Sequence, residues 1–403
     1  AVVLSDWSFE QPEEIFRKIN LVGDYYNFQQ RTVVDFVEDA RQRGFMKTLA
    51  DRTAWGRMRM SPVDLADVTG YTYTYLMNGH SPDMNWTALF NPGETIRLRF
   101  INAAAMSTFD VRIPDLDMDV VMADGKTVRP VRIHEFRIGV AETYDLLVRP
   151  RDDRPYTIFA ESLDRSGYTR GTLSPEPGLE APVPGLRARP VRRLEDIGMG
   201  GMQEGMSGTG MTHDNMSAAR RQDPRIPGPN GPAPFMPDKG DPNVAMVMMN
   251  PRYRLDEPGL GLGDDGWRVL TYADLVSSEP QPYPETVDRE MTINITANME
   301  RYLFSFDGKK FSEHPGPYLF RYNERLRLFL VNHTMMEHPI HLHGMWMQLE
   351  NGAGRLPFKH TILTKPGEVS SVLITPIEKG DWAFHCHLLY HMEAGMAQVV
   401  RVS

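Results

Sequence analysis

Between Trp382 and Met396 the chain reads Trp-Ala-Phe-His-Cys-His-Leu-Leu-Tyr-His-Met-Glu-Ala-Gly-Met, placing His385, Cys386, His387, His391 and Met396 within one short strand and the loop that follows it. Cys386 is the only cysteine in the chain. Side chains alternate along an extended strand, so Cys386 faces one side while His385 and His387 face the other. A second cluster upstream, His338-Pro-Ile-His341-Leu-His343-Gly, follows the same rule. It puts His341 and His343 on one face and leaves His338 outside it.

Cys386, His391 and Met396 offer a thiolate, an imidazole and a thioether at steps of five residues. With one more imidazole from the upstream cluster they form the ligand set of a blue-copper site, two nitrogens and one sulfur with a long axial methionine. His385 and His387 narrow the reading further. A mononuclear electron carrier has no use for them, whereas an enzyme that passes electrons from a blue copper to a second copper centre needs them. Any one of these histidines alone would be read as structural; two tight clusters around a single cysteine are not.

At these residues the sequence resembles the multicopper oxidases. The resemblance implies His338, Cys386, His391 and Met396 at a type 1 copper, His341 at a type 2 copper, and His343, His385 and His387 at a type 3 pair. It implies copper as cofactor and an electron path from Cys386 through His385 and His387, the catalytic residues, to dioxygen, which becomes water. A copper nitrite reductase, also built of several cupredoxin domains, has one histidine beside its cysteine, and His-Cys-His argues against it. In the resembling family the last domain is faced by two His-x-His motifs of the first. The remaining histidines here, His80, His134, His213, His314, His333 and His360, include no such pair. A first cupredoxin domain is therefore expected as a missing partner.

Composition bounds the rest. A net charge of -9 argues against nucleic acid as a partner, and no apolar run reaches membrane-spanning length. With 33 Gly and 31 Pro the chain reads as loop-rich β structure. Ala1–Trp7 looks like a strand cut from something longer. Pro12 with Glu13 and Glu14 starts a helix, Thr32 caps a second that Gly44 ends, and Ser61-Pro62 suggests a third. Residues 8 to 68 then read as a helical insertion without chemistry of its own.

From Gly70 the period becomes that of strands. Phe90 through Asn102 is echoed by Tyr322 through Asn332, and His134–Glu142 by His360–Glu368 in spacing. When Asn102 is laid on Asn332, the positions of His338, His341 and His343 fall opposite Thr108, Val111 and Ile113. Two copies of one sandwich follow, only the second with ligands. His80, His134 and His360 are read as structural.

Between the copies lies a Pro/Gly-rich stretch that holds Met199, Met202, Met206, Met211 and Met216 with His213. Thioethers on a tether without aliphatic neighbours suit collection of Cu(I). Such an insert resembles the copper-resistance (CopA/PcoA-like) branch of the family, which implies a periplasmic location and Cu(I) or phenol-like compounds as substrates. The expectation is an all-β fold of tandem cupredoxin-like Greek-key β-sandwiches with a helical insertion near the N-terminus. Residues 1–68 would hold the remnant strand and the insertion, 69–165 a second cupredoxin-like domain, 166–255 a Met-rich linker and 256–403 a third domain with the ligands. The alternative function is a copper-sequestering protein without turnover.

Overall fold

The computed structural model describes residues 1–199, 223–238 and 240–403. The first sandwich contains β1 (Val2–Trp7), β2 (Thr74–Met77), β3 (Trp86–Leu89), β4 (Ile96–Asn102), β5 (Phe109–Arg112), β6 (Met118–Ala123), β7 (Lys126–Ile133), β8 (Glu135–Ile138), β9 (Thr143–Val148), β10 (Tyr156–Ser162) and β11 (Tyr168–Ser174). The second contains β12 (Arg289–Asn298), β13 (Leu303–Phe306), β14 (Tyr318–Phe320), β15 (Leu326–Asn332), β16 (His338–Leu342), β17 (Met347–Leu349), β18 (Phe358–Lys359), β19 (Thr361–Thr364), β20 (Val369–Ile374), β21 (Gly380–Cys386) and β22 (Ala397–Val402). The all-β expectation holds.

The sheets run β2-β1-β4-β9-β6-β7 and β3-β11-β10-β5-β8, then β13-β12-β15-β20-β17-β18 and β14-β22-β21-β16-β19. Adding eleven to each strand of the first pair gives the second pair. The duplication extends to side chains. Asn102 donates to the carbonyls of Ser107 and Ile138 and accepts from Ala104 N; Asn332 donates to Met336 and Thr364 and accepts from Thr334 N. Each buried amide clamps the loop that leads into β5 or β16.

This correspondence corrects the reading of Ala1–Trp7. β1 lies parallel to β4 and antiparallel to β2, as β12 does to β15 and β13, so it is an integral strand of the first sandwich. Val2 and Leu4 point inward and are fully buried. β11 likewise belongs to this sandwich, beyond the boundary expected at 165. The helical residues are inserted between β1 and β2. The equivalent connection in the second copy is a single turn, Met299–Arg301.

The insertion holds α1 (Pro12–Leu21), α2 (Val33–Arg43) and α3 (Phe45–Met58). Pro12 opens α1, and a Thr32–Asp35 capping box opens α2 before Gly44 at φ 92° ends it. α3 was not foreseen, and it anchors the insertion through the buried Trp55. Ser61-Pro62 starts no helix. The segment it opens runs irregular and buried through Val63, Leu65, Asp67 and Val68. Met199 is also buried, packed in the core after a turn at Glu195–Ile197, and is no part of an exposed tether. Met202, Met206, Met211, His213 and Met216 lie outside the described residues.

A buried lysine ties the two sandwiches together. Lys359 of β18 stands 3.0 Å from both Asp124 and Glu142 of the first sandwich, and Tyr144 and Tyr272 donate to Glu142. Burial pulls the ammonium down, but the two carboxylates outweigh it and hold Lys359 above its ordinary value. Removing one partner of such a group leaves uncompensated buried charge. Lys359→Met is expected to lower stability by about 3–5 kcal/mol, read as a fall in the urea midpoint; an unchanged midpoint would remove this network from the account of how the sandwiches are joined.

Candidate metal centre

β16 and β21 are neighbours, in a register that sets Ile340 opposite Cys386 and His341 opposite His385. Because side chains alternate, this one register builds two clusters back to back. On the inner face His338 Nδ1 and His391 Nδ1 lie 3.7 and 3.8 Å from Cys386 Sγ and 3.1 Å from each other. All three residues are fully buried. His391 comes from α4 (Leu389–Glu393), a helix of barely more than one turn that follows β21.

The outer nitrogens are already engaged. His391 Nε2–H donates to Asp67 Oδ2 at 2.7 Å, and His338 Nε2 lies 2.7 Å from Thr334 Oγ1, whose hydroxyl donates to the Met336 carbonyl. With Thr334 so used, His338 Nε2 is the donor. Both Nδ1 atoms then carry lone pairs that face each other at 3.1 Å, an arrangement that repels unless a cation lies between them. Burial, followed by the neighbouring His391, holds His338 well below the ordinary histidine range, and burial pushes the Cys386 thiol up. Two inward imidazole nitrogens around a thiol that gives up its proton to a metal fit copper.

Met396 is fully buried at the end of the same loop, where its N–H donates to the His391 carbonyl and its carbonyl accepts from Cys386 N. Phe304 stacks on His391 with ring centroids 3.7 Å apart. Among the described residues, His338, Cys386 and His391 form the one group of three such side chains close enough to hold an ion.

On the outer face His341, His343, His385 and His387 gather with ring centroids 4.6 to 5.7 Å apart. His343 Nε2 and His385 Nε2 approach to 3.1 Å. His341 Nδ1–H donates to the His360 carbonyl and His385 Nδ1–H to the Cys386 carbonyl, which leaves a lone pair on the Nε2 of each. Burial holds His341 down at about 3, and His385 and His387 below their ordinary value.

Several residues here had no sequence signal. Asp67 belongs to the insertion that was expected to carry no chemistry, yet it fixes the tautomer of His391. His360, read as structural, stands 5.2 Å from the His341 ring. Met345 and Met347 are core residues.

Comparison with known proteins follows the same division of the chain. Residues 21–177 and 285–403 match two family models, each described as multicopper oxidase. The whole chain is 48% identical to copper resistance protein A of Escherichia coli, covering 71% of that protein. It is 47% identical to the copper resistance protein A homolog of Pseudomonas syringae pv. tomato, of which it covers 70%. Among solved structures, Fet3p, a multicopper oxidase that functions in iron import, matches all of this chain over 65% of its own at 14% identity with a TM-score of 0.58. A laccase from Botrytis aclada matches 99% of this chain over 63% of its own at 14% identity with a TM-score of 0.54. These two show the cupredoxin-type fold.

Two predictions come from this geometry. Asp67→Asn keeps the shape but removes the anionic acceptor of His391, and should weaken copper retention about 10–100-fold in competition with a chelator. Equal retention would make Asp67 a bystander. The second concerns acid. His338, His341, His360, His385 and His387 are all held below their ordinary value, with burial the largest cause in each. Below about pH 6.5 the unfolded chain protonates them while the folded chain does not, so the unfolded state binds more protons and stability rises with pH. Asp51, Asp64 and Glu135, raised by burial, act in the opposite sense over part of this range and are outnumbered. The Tm of metal-free protein should be at its plateau above about pH 6.5 and fall steadily toward pH 5; a flat Tm would contradict the neutral cluster.

Proposed function

The chain belongs to the multicopper oxidase family, and from that premise we propose that it couples one-electron oxidation of Cu(I) or phenol-like substrates to reduction of dioxygen to water, in the service of copper resistance. It is a copper-dependent oxidoreductase. In our reading His338, Cys386 and His391 hold the type 1 copper with Met396 as axial ligand, His341 is a type 2 ligand, and His343, His385 and His387 serve the type 3 pair. Copper in these sites would supply one-electron transfer from the substrate and the electrons that dioxygen takes up.

What supports this most is the back-to-back arrangement on β21. Cys386 is bonded through its two peptide units to His385 and His387, and His385 Nδ1–H donates to the Cys386 carbonyl at 2.9 Å. The inner trio and the outer histidines are thus linked by two covalent paths and one hydrogen bond. Asp67 and Thr334 each accept the Nε2 proton of an imidazole and turn its Nδ1 inward. Phe304 covers His391 and keeps water from it.

The outer histidines present one side of a cluster. In this proposal the facing ligands come from a further cupredoxin domain, and the Met202, Met206, Met211, Met216 and His213 segment gathers Cu(I). A periplasmic location follows from likeness to the copper-resistance branch. Among the described residues no helix is long and apolar enough to cross a membrane.

Copper-loaded protein should show an intense visible band from thiolate-to-copper charge transfer, which Cys386→Ser abolishes. An intense band that persists in a copper-binding Cys386→Ser variant would overturn the assignment. An oxygen electrode separates oxidase from sequestering protein: these 403 residues should take up copper and electrons but reduce dioxygen only when the facing domain is present. Sustained oxygen reduction by this chain alone would show that its cluster ligands are complete.

A further inference from the structure

Arg192 stands where the alternation of its segment calls for an apolar side chain. Along Pro190-Val-Arg-Arg-Leu194 the residues Pro190, Arg192 and Leu194 are buried, while Val191 and Arg193 are exposed. The segment joins the insertion to the second sandwich. Arg192 N–H donates to the Pro62 carbonyl at 2.9 Å, and its guanidinium Nη1 donates to the Met335 carbonyl. Met335 lies in the turn that leads into β16. On one side of it is Thr334, whose hydroxyl meets His338 Nε2 at 2.7 Å, and on the other Met336, whose carbonyl accepts from Asn332 and Thr334.

The interior is an unfavourable place for this cation. Arg192 is 2% exposed, and its Nη2 is buried with no hydrogen-bond partner among the described residues. Burial draws the guanidinium down to about 10, so it is still charged at neutral pH. Glu337, the carboxylate that offsets this burial most, is already bonded to Arg137. The other buried guanidinium groups near the junction of the sandwiches behave differently. Arg112, Arg137 and Arg165 each bond a carboxylate directly. Arg192 bonds a neutral carbonyl, a task that needs a donor and no charge. A buried charge without a direct partner destabilises the fold.

The charge has a use at the neighbouring centre. A type 1 copper alternates between Cu(II) and Cu(I), and taking up one electron from the substrate lowers its charge by one, with Arg192 protonated in both states. A fixed positive charge in surroundings of low dielectric stabilises the state that holds the extra electron. We propose that Arg192 is a positioning residue of the type 1 centre: it holds the turn that carries Thr334 and His338, and its buried charge raises the reduction potential of the copper. This rests on the reading of His338, Cys386 and His391 as that centre. Arg192 touches neither copper nor substrate, and its effect passes through the Met335 turn and through the field.

Potentiometric titration of the visible band in the copper-loaded full chain separates charge from shape. Arg192→Gln keeps a donor for the Met335 carbonyl and removes the charge. It should disfavour Cu(I) relative to Cu(II) at least tenfold, a fall of about 59 mV for one electron. Arg192→Lys keeps the charge when measured at about pH 6, below the range to which moderate burial lowers an amine, and should recover most of that fall. The wavelength of the band should stay in place in both, because no ligand changes. A shift smaller than tenfold in Arg192→Gln overturns the proposal, and so does a potential in Arg192→Lys as low as that of Arg192→Gln. If Arg192→Gln fails to fold, Arg192→Met, which keeps the apolar stem, takes its place. If neither folds, Arg192 serves folding and the proposal is overturned. A native protein without the band would overturn the type 1 reading itself, whereas a native band with an unmoved potential would overturn the role of Arg192 alone.

Discussion

The pairing of Ile340 with Cys386, and of His341 with His385, is the constraint on which both clusters depend. A slip of one residue between β16 and β21 would turn Cys386 toward the outer histidines and His385 into the core, so neither donor set could form. The register is held from several sides. Asn332 clamps the loop before His338, β19 pairs with the far edge of β16, and the Cys386 N–H donates to the Met396 carbonyl. The chemistry of the proposed site is in this sense a product of sheet pairing.

The first sandwich shows what the same scaffold does without a metal. On the core face, where the second sandwich sets Ile340 against Cys386, it sets Val111 against Ala160, and on the opposite face, where the second has His341 and His385, it carries Asp110, Arg112 and Glu161. Asp110 pairs with Arg137 and Arg165, and Glu161 with Arg112 and Arg187, on the face turned away from that core. The Asn clamp is present in both copies, so it belongs to the fold. What differs is how the outer face is filled, by ion pairs with guanidinium groups in one copy and by His341, His343, His385 and His387 in the other. Arg137 then reaches across to Glu337, one residue before His338, and joins the two solutions.

The legible part of the sequence was the part whose partners are near in the chain or obey alternation. His385, Cys386, His387, His391 and Met396 fall within one strand and turn, and the period-2 pattern assigned their faces correctly. The repeat was also readable, because Asn102 and Asn332 each sit at the end of an alternating strand. What could not be read depends on contacts across long separations. Asp67 meets His391 from 324 positions away, and nothing in its local sequence distinguishes it from a solvated acid. The alternation of Val2 and Leu4 gave β1 as a strand but carried no information about its partners, so it was assigned to another domain. Ser61-Pro62 satisfied a local helix rule that the burial of Val63 through Val68 overrode. Met199 looked exposed because Gly and Ser follow it, whereas the core supplied neighbours from elsewhere in the chain.

Burial explains why such a site can fold before it is filled. The imidazole of His338 is kept neutral and the thiol of Cys386 protonated, each shift caused mainly by desolvation. Without metal His338 and Cys386 are therefore uncharged and pack like core, with Phe304 against His391 and Met396 beneath the loop. The carboxyl group nearest this cluster is that of Asp67, to which Tyr302 and His391 both donate. In the proposed site copper would take the place of the thiol proton, and Cys386 and Asp67, which lie on opposite sides of His391, would balance its charge. The insertion between β1 and β2 is what brings that carboxylate to the second sandwich, and this gives the three helices and the buried segment after them a part in the chemistry of a domain from which they are distant in sequence.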